Sequence, residues 1–119
     1  MTPAIFTSQT SQPLPSLIGG DFPRVTRLVT VASGAGVLPA GAVLGRVAAG
    51  GKFTLSAAAS NDGSEAVRAI LAEPVDASLS DVVAVVYLSG EFNADQLTFG
   101  AGHSAASAAD ALRDLSIFI

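Results

Sequence analysis

Few side chains in this 119-residue chain could make or break bonds, and they are dispersed. His103 is the single histidine, and there is no cysteine. A nucleophilic serine needs a base, a third group that orients the base, and an oxyanion hole beside it. His103 stands between Gly102 and Ser104, and no Gly-x-Ser-x-Gly elbow occurs anywhere in the chain. It therefore reads as a hydrogen-bonded or exposed loop residue, and no catalytic residue is assigned. The densest oxygen cluster is Asn61-Asp62-Gly63-Ser64-Glu65. Carboxylate oxygens suit Ca²⁺ or Mg²⁺, but the spacing is not that of an EF-hand loop. Asn and Gly tolerate positive φ, so the segment is predicted to be a turn, not a metal site. Gly34-Ala35-Gly36 and Gly100-Ala101-Gly102 hold Gly-x-Gly fragments. The first runs into Val37-Leu38-Pro39 and the second has Ala105 where a third glycine belongs, so neither completes a dinucleotide fingerprint. No cofactor is predicted, and no enzymatic activity.

Charge points the same way. Six basic and ten acidic residues give a formal net charge of −4. Phosphate-backbone binding needs clustered Lys and Arg, whereas the basic residues are spread along the sequence from Arg24 to Arg113. Nucleic acid is not an expected partner. The longest strongly apolar run, Val82 to Leu88, is far short of the roughly 20 residues that cross a bilayer. Residues 1–12 show neither a basic n-region nor an apolar h-region, so a secretory signal is not expected there. Half of the residues are hydrophobic and only 13% are charged, and the mean hydropathy is +0.54. A surface so poor in charge predicts self-association.

These residues need a scaffold, and the pattern is that of a small β-rich domain preceded by an arm. Residues 1–20 contain Pro3, Pro13 and Pro15 and no charged side chain. With few apolar groups to offset ordering entropy, this arm is expected to be disordered when free. Ile5, Phe6, Leu14, Leu17 and Ile18 are spaced along it as candidate anchors for a partner. The body, 21–119, opens with alternation from Val25 to Val31, a strand. Gly34-Ala35-Gly36 breaks it, and a second strand runs from Val43 to Val47. Gly50-Gly51 turns the chain into a hairpin partner at Lys52–Leu55. Ala66–Ala72 is predicted as strand and Ala77–Asp81 as loop. Val82–Leu88, nearly all β-branched or aromatic, is expected to be a strand buried on both faces. Ser107 with Asp110 suggests a capping box opening a helix, with Ala108, Ala111, Leu112 and Leu115 on one face. The apolar end, Ser116 to Ile119, is expected to close a sheet or sit in an interface.

Taken in order, Gly51-Lys52-Phe53-Thr54-Leu55, Asn61-Asp62-Gly63-Ser64, Ala69-Ile70-Leu71-Ala72, Ser89-Gly90-Glu91-Phe92-Asn93 and the apolar end from Leu115 resemble the lambda-like head decoration proteins of tailed phages. The likeness covers roughly residues 20–119. It implies a mainly β fold with a short C-terminal helix, a compact β-tulip or barrel-like domain with an N-terminal arm. It also implies a homotrimer on the outer surface of the virion, seated at local threefold positions of the expanded head and cementing the major capsid protein against DNA pressure. Ile5, Phe6, Leu14, Leu17 and Ile18 become candidate capsid contacts, as a region and not residue by residue. Leu97-Thr98-Phe99 lacks a tryptophan seen elsewhere in the family. The competing readings are a generic all-β module for a peptide or glycan, and a small hydrolase using His103.

Overall fold

The computed structural model describes residues 17–119, so Ile5, Phe6 and Leu14 lie outside the described residues. Nine strands and one helix follow in order: β1 Thr26–Val31, β2 Gly36–Leu38, β3 Val43–Arg46, β4 Phe53–Leu55, β5 Val67–Leu71, β6 Val75–Ala77, β7 Val82–Tyr87, β8 Gly90–Glu91, α1 Ala105–Arg113 and β9 Ile117–Phe118. A 3₁₀ turn, Ala94–Gln96, precedes the helix. Five strands close into a barrel in the order β1-β4-β3-β5-β7. All its pairings are antiparallel except β1 with β4, which is parallel. The fold class expected from the sequence, mainly β and barrel-like with one C-terminal helix, is the one observed.

The predicted hairpin is present as β3 and β4, with Leu44 opposite Leu55 and Arg46 opposite Phe53. Its connection is longer than a tight turn. Val47 N donates to Lys52 O (2.7 Å) and Gly51 N to Val47 O (3.0 Å), with Gly50 and Gly51 at φ 90° and 72°. Gly45 lies inside β3 for a different reason: a Cβ there would collide with the carbonyl oxygen of Ser64.

Two apolar clusters result from the alternation of side chains across strands. The barrel interior holds Val31, Leu44, Phe53, Ala69, Leu71, Ala84 and Val86. Outside it, Val43 and Ile70, paired in register, meet Ala108 and Leu112 of α1 together with Phe92 and Ile117. β3 and β5 are therefore the strands buried on both faces. That property was expected of Val82–Leu88, and the structure corrects it. Ala84 and Val86 point inward; on the outer side Tyr87 packs against Phe92, but Val83 is 63% exposed, because no described element reaches that part of the strand's outer face. A run of β-branched residues specifies a strand but not what lies over it.

Two further corrections are local. β2 and β6 pair over three residues, Gly36 to Leu38 against Ala77 to Val75; the expected break and loop hold except at Gly36 and Ala77, and no strand is expected from the sequence over the remaining residues. The helix is capped one turn earlier than expected, by Ser104. Ser107 N donates to Ser104 Oγ (3.1 Å) and Ser104 N donates to Ser107 Oγ (2.8 Å). Asp110 instead pairs with Arg113 on the exposed side (3.1 Å), and Ala111 and Leu115 are exposed. The C-terminal run does close a sheet: Ile117 and Phe118 pair in parallel with Gly90 and Glu91.

Candidate functional site

His103 and its neighbours come first, because among the described residues they resemble catalytic machinery. Folding brings it to Ser56, 47 residues away, with Nε2 3.1 Å from Ser56 Oγ and 3.0 Å from the carbonyl oxygen of Glu65. A carbonyl oxygen only accepts, so Nε2 carries the ring proton on this side. Ser56 Oγ spends its own proton on Ser64 O at 2.6 Å. The imidazole nitrogen facing the serine is thus a donor and not a base, and Ser56 is fully buried. Gly100 packs so closely on Ser56 that a Cβ would strike its carbonyl oxygen. These contacts tie the loop before α1 to the link after β4. They satisfy buried polar groups, and they do not activate a nucleophile.

The Asn61–Glu65 segment behaves as the turn the sequence suggests. Asp62 Oδ1 accepts from Ser64 N (3.0 Å) and Ser64 Oγ (2.5 Å), and Glu65 Oε1 accepts from Gly63 N (2.9 Å). The Ser64 hydroxyl and then its backbone N–H hold the Asp62 carboxyl below its ordinary value of 3.8. Both carboxylates face the turn's own donors. Among the described residues no group of three or more His, Cys, Asp or Glu is arranged to hold a metal ion.

Of the five predicted anchor residues, Leu17 and Ile18 are described, and both pack on the outer apolar cluster. Ile18 forms an antiparallel bridge with Phe92. Gly19 N donates to Glu91 O (2.9 Å) and Asn93 N to Leu17 O (2.8 Å). Farther on, Phe22 N donates to Glu91 Oε1 (2.9 Å), and the Phe22 ring meets Phe118 edge-on at 4.8 Å. The chain is thus fastened to the body from Leu17 onward, along the edge of the Phe92 segment.

Two further surface features stand out, one on the outer side of β1 and β7 and one at the mouth of the barrel. The first is apolar: Leu28 of β1 and Val83 of β7 are 66% and 63% exposed, with Leu79 in the loop between β6 and β7 almost fully exposed. The second is cationic and corrects the sequence-based view of dispersed charge. Arg27, Arg46, Lys52 and Arg68, four of the six basic residues, line one cavity of about 640 Å³. Each lies on a different strand or loop, so only the closure of the barrel reveals the grouping. At its edge Lys52 Nζ meets Asp81 Oδ2 at 2.6 Å, and Ser33 N donates to Asp81 Oδ1 at 2.8 Å. Lys52 first, and then Ser33, lower the Asp81 carboxyl from its ordinary value.

Compared with known proteins, the chain matches the family model described as bacteriophage lambda head decoration protein D over residues 6–118. A search of curated proteins gave no match. The matched span takes in every strand, the helix and most of the segment before Leu17.

Proposed function

The chain belongs to the bacteriophage lambda head decoration protein D family, a family of phage capsid decoration proteins, and from that premise we propose that it binds the expanded head as a homotrimer at local threefold positions and cements the major capsid subunits against internal DNA pressure. The observation that carries this reading is the family match across 113 residues, from 6 to 118. Three physical features support it. The outer side of β1 and β7 exposes Leu28 and Val83, the kind of apolar surface that copies of a chain cover when they assemble. A trimer touching several shell subunits gains retention from multivalency, so individually weak contacts suffice. A protein that binds only the expanded lattice stabilises that state by mass action.

In this reading residues 1–20 are the arm and 21–119 the body. Ile5, Phe6, Leu14, Leu17 and Ile18 supply apolar contacts to the shell, with Leu17 and Ile18 also rooting the arm on the body. The protein acts without catalysis, in keeping with the donor role of His103 Nε2 toward Ser56 and Glu65. The test is co-sedimentation of the full chain with expanded and unexpanded heads. Binding to expanded heads alone is expected; equal binding to both, or to neither, overturns the maturation-specific reading. Because Leu17 to Gly19 are bonded to the body, the informative truncation removes residues 1–16. It should abolish head binding and leave the unfolding midpoint unchanged.

A further inference from the structure

The cationic cavity is the mouth of the barrel. Arg27 lies two residues before Val29 on β1, and Arg46 two residues after Leu44 on β3. Both extend the interior-facing rows beyond the apolar end of the barrel. Arg68 on β5 and Lys52 beside β4 complete the ring, while Leu28, Phe53 and Leu88 give the cavity an apolar wall. Among the described residues no carboxylate lies within 4.0 Å of Arg27, Arg46 or Arg68. That inventory covers every acidic side chain of the chain, since residues 1–16 contain none. The protein carries ten acids and still leaves these three guanidinium groups without one.

Among the described residues the same mouth also leaves part of one strand edge open. β1 is laddered to β7 along its whole length, but to β4 only at Val31 opposite Phe53. Leu88 N donates to Val25 O (2.7 Å) on the β7 side, and Ala32 N donates to Phe53 O (2.8 Å) on the β4 side. Backbone groups alternate direction along a strand. The N–H and C=O groups of Thr26 and Leu28 therefore point into the gap, where β4 does not reach them; the ladder to β4 begins beyond them, at Val31 opposite Phe53.

We propose that this cleft receives an extended acidic segment of a protein partner, added as a strand to the open edge of β1. Acidic side chains at alternate positions would face Arg27, Arg46 and Arg68, and apolar ones between them would lie along Leu28. Strand addition supplies main-chain affinity, and alternate side chains supply specificity. Guanidinium groups match carboxylates bidentately and carry the charge complementarity. A phosphate backbone would use the cations but not the strand edge or the apolar wall, and this favours a peptide. Taking the partner to be a shell subunit rests on the capsid-binding reading above; the chemistry of the cleft does not.

The test uses the full chain, its triple variant Arg27→Gln/Arg46→Gln/Arg68→Gln, and the corresponding triple lysine variant. The probes are the labelled peptide Glu-Val-Glu-Val-Glu-Val, its Gln-Val counterpart, a single-stranded oligonucleotide, and expanded heads. Wild type should bind the Glu-Val peptide and not the Gln-Val one. Three exposed charges at modest individual worth make the glutamine variant about tenfold weaker toward that peptide and toward heads at about 100 mM salt. The lysine variant should recover much of the loss. Failure of wild type to bind the Glu-Val peptide, or equal head binding by wild type and the glutamine variant, overturns the proposal and leaves the capsid reading intact. Peptide binding without head binding overturns the capsid reading and leaves the cleft. An oligonucleotide that binds wild type more tightly than the peptide, and is lost in the glutamine variant, overturns it in favour of nucleic acid. Wild-type peptide titrations at rising salt give an independent measure should the triple variants misfold: affinity that does not fall with salt contradicts the charge pairing.

Discussion

The two sides of the barrel are made of similar residues put to opposite use. On one side, Val43 and Ile70 face outward from β3 and β5 and are covered by α1, Phe92 and Ile117. On the other, Leu28 and Val83 face outward from β1 and β7 and are left bare. Covering one side takes α1, β9 and the Leu17–Gly19 segment, which pack there through Ala108, Leu112, Ile117, Ile119, Leu17 and Ile18. The chain has nothing further among its described residues to spend on the β1–β7 side, which keeps an apolar face and, at the barrel mouth, an open stretch of the β1 edge beside the unpaired cations. The covered side is where the fold is held together. The bare side is where this protein has surface to offer a partner.

The sharpest way to break this comparison is truncation on the covered side. Leu112, on the inner face of α1, is fully buried. Leu112→Ala removes packing and leaves a cavity, and should cost about 2–5 kcal/mol in denaturant unfolding. Val83→Ala on the bare side should change stability by no more than about 0.5 kcal/mol. Comparable losses from the two would mean that the β1–β7 face is covered in the free protein.

Next in size is the buried node that joins the helix loop to the barrel. Ser56→Ala leaves the Ser64 carbonyl without its 2.6 Å donor and takes an acceptor from His103. A buried group left unsatisfied costs about 1–3 kcal/mol. His103→Ala should also destabilise, through Glu65 O, while leaving head binding unchanged at protein concentrations where both forms are folded. Loss of head binding by folded His103→Ala would contradict a purely structural role.

How far the sequence could be read follows the same division. β1, β3, β5 and β7 announce themselves through alternation or runs of Val, Ile and Leu, and the hairpin through Gly50-Gly51. The existence of the helix was legible from Ala108 and Leu112, though its cap was not, because Ser104 and Ser107 are equally good cap residues three positions apart. β2 and β6 escape because three residues cannot display a period, and Gly36 at φ 87° reads as a break. What covers each strand is a tertiary fact. Val82–Tyr87 looks as buried as Val67–Leu71 in sequence, and only the path of α1 decides between them. The grouping of Arg27, Arg46, Lys52 and Arg68 is hidden for the same reason, since barrel closure sets it and sequence spacing does not. Of the candidate contacts, Leu17 and Ile18 were recognisable as apolar residues in a polar arm; their seat against Phe92 was not.

A milder change sharpens the bare side. Val83→Lys places a charge in the exposed apolar face without touching the core. Unfolding of the isolated subunit should shift by no more than about 0.5 kcal/mol, while, if the proposed trimer forms through this face, the mass from light scattering should fall toward that of a monomer. A variant that keeps the wild-type mass would move the contact between copies away from β7.

The smallest expected effect is electrostatic. Asp62, Asp76 and Asp81 all have carboxyls held below the ordinary 3.8, by Ser64, by Ser78, and by Lys52 with Ser33 respectively. A carboxyl that ionises more readily in the folded state than in the unfolded one contributes stability above its unfolded value. That contribution is lost as pH falls below 3.8 toward the folded values, because the proton then competes with the serine and lysine donors. All three are solvent-exposed, so screening keeps each contribution small. Stability measured by denaturant from pH 6 down to pH 2 should therefore decline in acid, and Asp62→Asn should make that decline shallower while keeping an oxygen that still accepts from Ser64 N. Lys52→Gln should do the same through Asp81, and its effect should shrink in high salt more than that of Asp62→Asn. The Asp62 bonds are short contacts to neutral donors within one turn, whereas the Lys52–Asp81 pair joins two ions at the rim of the barrel mouth. Equal salt sensitivity of the two variants would show that the rim pair is held by hydrogen bonding alone, and that the bare side's cations exert less field than their grouping implies.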